Sequence, residues 1–366
     1  MTALGRLWRY VLADALTDVV LHPALPLQDV EFGPQLDGPG SLKATLKPRF
    51  VKANPQLLSK GSTVVYPVRD NQIRDGYLLW LVEPEGEVYT VEGAGWPSYL
   101  RRRHDLHGDL GSRGPYIQAD PCKIISDVWA YAQEQPDGNL RVQLDTAVSP
   151  LRVGTTEQPI TYPWWTNPVL GEIVDTLTAA ADHPEYTHTA EAGPDGRPVR
   201  RVRMGYPRLG TRRNDISFAT GVNIIQSPAV TYDYDHYANT VIATGAGEGR
   251  DAVRAVNSVR DGRLRLESLL SRPDITDNTL LASLASAARI GRQQLGTVHQ
   301  ITVRHHPAAP AGSWQIGDDV RTTVHNRWTD LDTWMRITGW TTHPDTDTYT
   351  IDLEPSASFT YGSTSG

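Results

Sequence analysis

Apolar and polar positions alternate along most of this chain in short runs separated by glycine, proline and acidic residues, a period of two that specifies half-buried β-strands. Near the start LPLQDVEF, the cluster GPQLDGPG and SLKATL read as strand, turn and strand, with Gly38, Pro39 and Gly40 punctuating a β-hairpin with a long loop. TVVYPV, YLLWLVE and VYTVEGAG repeat the pattern around turns at Asp70, Asn71 and Gly76 and from Pro84 to Gly86. In YLLWLVE both alternating sets are apolar, Tyr77, Leu79 and Leu81 against Leu78, Trp80 and Val82. Both faces of that strand are therefore expected to pack against protein, one of them against another subunit.

A helical period replaces this pattern in three places, each with a start signal. Asp120 and Pro121 open a helix to about Gln135, and Asn167 and Pro168 open one to about Ala181. Asp277 caps a third, from Asn278 to about Leu295, with Leu280, Leu281, Leu284, Ala288 and Leu295 on one stripe. A hairpin turns through GPDGRP at Gly193 to Pro198. GVNIIQS, AVTYDYDHY, NTVIATG, DAVRAVNSV and LRLESLL are strands before the last helix. VHQITVRHH, DDVRTTVH, TWMRITGW and YTIDLEP are strands after it, the final two joined by a turn at Pro344 to Thr348, and the polar tail Ser356 to Gly366 is expected to fray. The fold class expected is mostly β with α+β inserts. Two small β-barrel-like modules, residues 1–95 and residues 214–366 with one helix, enclose two α+β inserts, 96–158 and 159–213.

The stretch ANTVIATGAGEGRDAVRAVNS has two readings. A β-prone run entering Gly245, Gly247 and Gly249 looks like the start of a dinucleotide fold, but that fingerprint needs a third glycine where Arg250 stands, and a helix directly after it. Ala252 to Val259 is valine-rich and partly alternating, closer to a returning strand, so the stretch reads as a hairpin closed by a glycine loop, with no cofactor bound there.

Composition narrows the class. At 366 residues, with 39% apolar and 21% charged positions, 31 glycines and 26 prolines, the chain suits a turn-rich β protein of several domains. A net charge of -7 argues against a general nucleic-acid-binding surface. Cys122 stands alone, so the chain forms no internal disulfide and no cysteine-based zinc site, as expected of a protein folded in a reducing cytoplasm. Neither a signal peptide nor a membrane anchor is expected, because Arg6, Arg9, Asp14 and Asp18 interrupt the N-terminal apolar residues.

Candidate chemistry is sparse. Asp233 and Asp235, two apart on a strand, would place their carboxylates on one face about 7 Å apart at the Cα atoms, a spacing compatible with a glycosidase pair, although any half-exposed strand shows the same alternation. Asp345, Asp347 and Asp352 lack the glycine and final glutamate of a calcium loop and read as turn residues. His299, His305, His306, His325 and His343 form no metal-binding motif. Arg101, Arg102 and Arg103 read as surface or salt-bridge donors, and Trp164 and Trp165 as a seam-packing pair with glycan stacking as the alternative, for which Trp96 is a further candidate. No catalytic, cofactor or metal residue is assigned.

In order along the chain, LPLQDVEFGPQLDGPGSLKATL, GYLLWLVE, VYTVEGAGWPSYLRRR, ANTVIATGAGEG, IGDDVR and MRITGW resemble the tail-hub proteins of long-tailed phages, particularly minor tail proteins of phages infecting actinobacteria. The resemblance implies a structural virion protein at the tail tip. It would be a homotrimeric hub of the baseplate type, with two β-barrel-like modules per subunit in a ring of pseudo-sixfold symmetry. Implied partners are the distal tail ring protein, the tape-measure protein and tip or fibre proteins, with DNA only in transit through the channel. Some relatives continue into a peptidase, lysozyme-like or sugar-binding region, expected here to be absent or on partners. A carbohydrate-active enzyme or glycan-binding module acting on the host cell wall is the alternative.

Overall fold

A computed structural model describes residues 8–58, 60–178, 183–226, 234–273, 278–293, 298–327 and 330–356. The first strands are β1 (Arg9–Asp14), β2 (Val20–His22), β3 (Gln28–Gln35), β4 (Gly38–Leu46), β5 (Thr63–Arg69), β6 (Gln72–Ile73), β7 (Tyr77–Glu85) and β8 (Val88–Ala94). They hydrogen-bond in the order β3-β4-β8-β7-β5-β1-β2, with β6 on β5. This sheet curls around Tyr10, Leu12, Phe32, Leu42, Val65 and Tyr77. Its other face, carrying Val64, Tyr66 and Leu78, belongs to a second core built on the segment that follows. YLLWLVE is thus covered on both sides by this chain itself at Tyr77 and Leu78, while Leu79, Trp80 and Val82 are half-buried and Leu81 is 38% exposed.

The expected long loop between β3 and β4 is instead a tight turn at Leu36 and Asp37, Asp37 having φ 51°. Gly33 serves a different purpose: a Cβ there would lie 1.6 Å from the Trp340 carbonyl oxygen, so glycine is required where a distant strand crosses.

The segment after β8 holds the helix Pro121–Glu134, begun as expected by Asp120, which accepts from the Cys122 amide at 2.9 Å, with Pro121 in the first turn. Its apolar face buries Ile124, Ile125, Val128 and Trp129. The second helix spans Leu170–Thr178. It starts later than its sequence signal, because Asn167 takes a left-handed conformation (φ 49°) that closes a preceding short turn. β9 (Val142–Leu144), β10 (Glu185–Ala192) and β11 (Pro198–Gly205) form one sheet in the order β10-β11-β9. β10 and β11 are the hairpin expected from GPDGRP, and β9 pairs with β11 in parallel across a long stretch of chain.

β12 (Arg212–Ala219) and β13 (Ile224–Gln226) lead to β14 (Thr240–Thr244), β15 (Arg254–Ser258) and β16 (Glu267–Ser271), which form a separate sheet in the order β15-β14-β16. The helix Asn278–Arg292 packs on this sheet through Leu281, Leu284 and Ala285 against Val241, Ala243 and Ala255. Asp277 and Leu295 lie outside the described residues, as does the Leu280 side chain. β17 (Gln300–Arg304), β18 (Asp319–His325), β19 (Asp330–His343) and β20 (Thr348–Pro355) complete the chain. The order β13-β17-β20-β19-β3 joins them to the first sheet, with β18 on β19 and β12 on β18. The result is mostly β with α+β parts. The first and last groups of strands share one continuous 14-stranded ladder, and among the described residues it does not close into a barrel.

Candidate functional site

The residues singled out for chemistry are scattered. Asp233 lies outside the described residues, and Asp235 sits with exposed Tyr234 and His236 in a turn, so the strand spacing proposed for a carboxylate pair does not apply to it. Asp347 closes the β19–β20 turn with φ 51° and receives a bidentate hydrogen bond from Arg69, 2.6 Å to Oδ1 and 3.0 Å to Oδ2. Asp352 lies in β20 and accepts from Gln300 at 2.8 Å, and Asp345 lies in the turn between β19 and β20. His305 and His306 accept from backbone amides through Nδ1, His325 pairs with Asp330, and His343 stands 3.2 Å from Glu31. His299 directly precedes β17. Among the described residues no group of three or more His, Cys, Asp or Glu is placed to hold a metal ion.

The three adjacent arginines all engage their own chain. Arg101 pairs with Asp175 at 3.0 Å, Arg102 lies 4.4 Å from the Trp80 ring centroid, and Arg103 donates to the Tyr99 hydroxyl. Cys122 is buried in the core, and burial, with Asp120 beside it, pushes its thiol up to about 12. The glycine loop is the expected hairpin: β14 and β15 pair antiparallel, and the Gly245 amide donates to Val253 O at 2.7 Å. Strand follows strand where a dinucleotide site needs a helix.

The tryptophans separate by burial. Trp96 is fully buried, donating from Nε1 to Thr189 O at 3.1 Å, so it is a core residue and not a stacking platform. Trp164 and Trp165 are 58% and 67% exposed and meet edge to face at 5.9 Å.

What the structure assembles is a surface that the sequence reading did not pick out. In the β15-β14-β16 sheet, register places Val256 and Leu269 on either side of Ile242. All three point away from the helix Asn278–Arg292, whose contacts are with the alternate residues Val241, Ala243 and Ala255. Leu269 is 78% exposed and Val256 49%. Exposed Arg254, Ser258, Glu267 and Ser271 border the row. An apolar centre with a polar rim on a rigid sheet is suited to holding another protein surface. The signal was present in the alternation of VRAVNS and LESLLS, but only the packing of the helix shows which set is left outside.

Three solved structures correspond to the chain over nearly its whole length. The 43 kDa tail protein of prophage MuSo2 from Shewanella oneidensis is 11% identical, with TM-score 0.61 over 95% of this chain and 96% of that one. The tail protein from Neisseria meningitidis MC58 is 12% identical, with TM-score 0.59 over 96% and 97%. Prophage tail protein gp18 from Listeria monocytogenes EGD-e is 9% identical, with TM-score 0.55 over 94% of each chain. The chain therefore shares the fold of these tail proteins. No protein-family model matches the sequence, and no curated protein sequence does.

Proposed function

We propose that this chain is a structural protein of a phage-type tail, assembling as a homotrimeric hub at the tail tip that joins the end of the tail tube to tip proteins. The observation that carries this reading is the end-to-end correspondence with three tail proteins, which covers the inserts as well as the sheets. Motif order in the sequence adds the hub assignment and the actinobacterial host. In this reading the two groups of strands flanking the inserts act as the barrel-like modules of a ring around an axial channel. The partners are two further copies, the distal tail ring protein, the tape-measure protein and tip or fibre proteins, with DNA only in transit. A neutral to acidic lumen would let DNA slide, where a basic wall would hold its phosphates.

Light scattering at micromolar protein, with particle images of the species formed, tests the proposal. A trimer with an axial hole is expected, and a monomer at every concentration, alone and mixed with neighbouring tail proteins, would overturn it. The exposed Trp164 and Trp165 pair favours a second reading, a glycan-binding module on the host wall. A flat tryptophan-fluorescence titration with wall polysaccharide would remove it.

A further inference from the structure

Two exposed faces of this chain, on different sheets, complement each other in shape class and in charge. The first is the face of the β15-β14-β16 sheet that carries Val256, Ile242 and Leu269, and its border is basic. Arg254 lies two residues before Val256 on β15 and so on the same face, exposed, and among the described residues no carboxylate holds it. The one carboxylate that the three strands put on this face, Glu267, accepts from Arg265 at 2.7 Å and is thereby neutralised. From Glu248 to Arg272 six arginines stand against four carboxylates, a local positive excess in a chain whose net charge is -7.

The second face is acidic. Val82, Tyr89 and Val91 turn one side of the β7-β8 hairpin into the first core. The alternate residues make the opposite side, where register sets Leu81 against Glu92, Glu83 against Thr90 and Glu85 against Val88. Leu81, Glu83 and Glu85 are exposed, and Glu92 and Val88 are half-buried. Lys43 on β4 stands opposite Glu92, yet among the described residues no ion pair engages Lys43 or any of the three glutamates. Neighbouring carboxylates on one sheet face are unfavourable until cations meet them.

We propose that the β15-β14-β16 face of one copy docks on this outer face of the β7-β8 hairpin of the next copy, with Val256 and Leu269 covering Leu81 and Val88 and the arginine border meeting the glutamates. The contact presupposes the homotrimer proposed above and supplies its partner surface. Charge decides the pairing: two basic borders, or two acidic hairpins, would repel each other, so neither face can serve as its own partner. Each copy offers both faces, and repetition about a threefold axis closes the ring with none left over.

The test is the concentration dependence of mass, by light scattering on the full chain, alone or in the mixture with neighbouring tail proteins in which wild type assembles. Glu83→Arg with Glu85→Arg, and separately Arg254→Glu, should each weaken the trimer about tenfold or more, and all three changes together should regain most of the loss, because the attraction returns with its signs exchanged. Raising sodium chloride from about 50 mM to about 500 mM should weaken the wild-type trimer by a similar factor, a readout that needs no variant to fold. Arg197→Glu, in the exposed GPDGRP turn, should change nothing. A trimer indifferent to salt or to the reversals, a combined variant no tighter than its parents, or a trimer lost in Arg197→Glu would overturn the docking and leave the hub reading standing. A wild-type chain that is monomeric at every concentration, alone and mixed, would overturn both.

Discussion

Arg69, Arg200 and Arg336 are buried, and each is held by groups that lie far away in the chain. Arg200 pairs with Asp18 and donates to the Tyr66 hydroxyl at 2.9 Å and to the Ala15 and Leu140 carbonyls at 2.6 and 2.7 Å. Arg336 pairs with Glu185 and with Glu354. A buried guanidinium is costly unless it is paired, and each of these three is paired with a carboxylate, so these residues fix how the inserts and the last strands sit on the first sheet. None of the three stood out in the sequence, because an arginine in a strand pattern reads as a surface residue until its partners are known.

Asp37 gives this residue-level network a dependence on pH. Its amide donates to Tyr186 O and its Oδ1 accepts from the Tyr186 amide, both at 2.8 Å. Burial pushes its carboxyl up to about 7, with Glu185 adding to the shift while the Tyr186 amide opposes it. The folded chain thus holds this proton more tightly than the unfolded chain, where an aspartate titrates near about 3.9. The stability contributed is complete below about pH 4 and lost as pH rises through about 7. Between about pH 5 and about pH 8 the wild-type melting temperature should fall relative to that of Asp37→Asn. Parallel melting curves for the two proteins would show that Asp37 does not titrate in this window.

At the scale of elements, strong local signals transferred directly. The Asp120 cap, the GPDGRP hairpin and the final β-hairpin lie where the pattern placed them, because each is decided by residues a few positions apart. The misplaced features answer to distant chain: Gly33 looked like part of a loop but sits in a strand under Trp340, and Asn167 looked like a cap but closes a turn. The glycine hairpin offers a quantitative check. Gly249 has φ 58° with open space around a would-be Cβ, whereas Gly247 has φ 105° and its Cβ would meet Asp251 O at 2.7 Å. Gly249→Ala should weaken the hairpin by on the order of 1 kcal/mol and Gly247→Ala by more, since strain and a backbone clash add there. Hydrogen exchange of the β14 and β15 amides measures this locally, and equal effects from both variants would contradict the steric account.

For the whole molecule, the surplus apolar surface is not where the sequence placed it. The two-faced strand Tyr77–Glu85 spends its apolar residues mainly inside the chain, between two cores. The row of exposed Val256, half-buried Ile242 and exposed Leu269 lies instead on the small sheet, which has its own helix and its own core. A module with a separate core can present such a row without the main ladder depending on it, so changing the row tests assembly apart from folding. In the proposed trimer a repeated heterologous contact would bury the row on each subunit and close the ring. Val256→Ser with Leu269→Ser should then leave the melting temperature of the isolated subunit close to wild type, since neither side chain is in the core. The same variant should shift the trimer toward monomer by about tenfold or more in dissociation constant, as burial of two large aliphatic groups per contact implies. Trp164→Ser, also at an exposed apolar position, should leave the mass unchanged. A double variant that assembles like wild type would move the trimer contact off this sheet and leave the row for a neighbouring tail protein, whose binding to the variant would then be the quantity that falls.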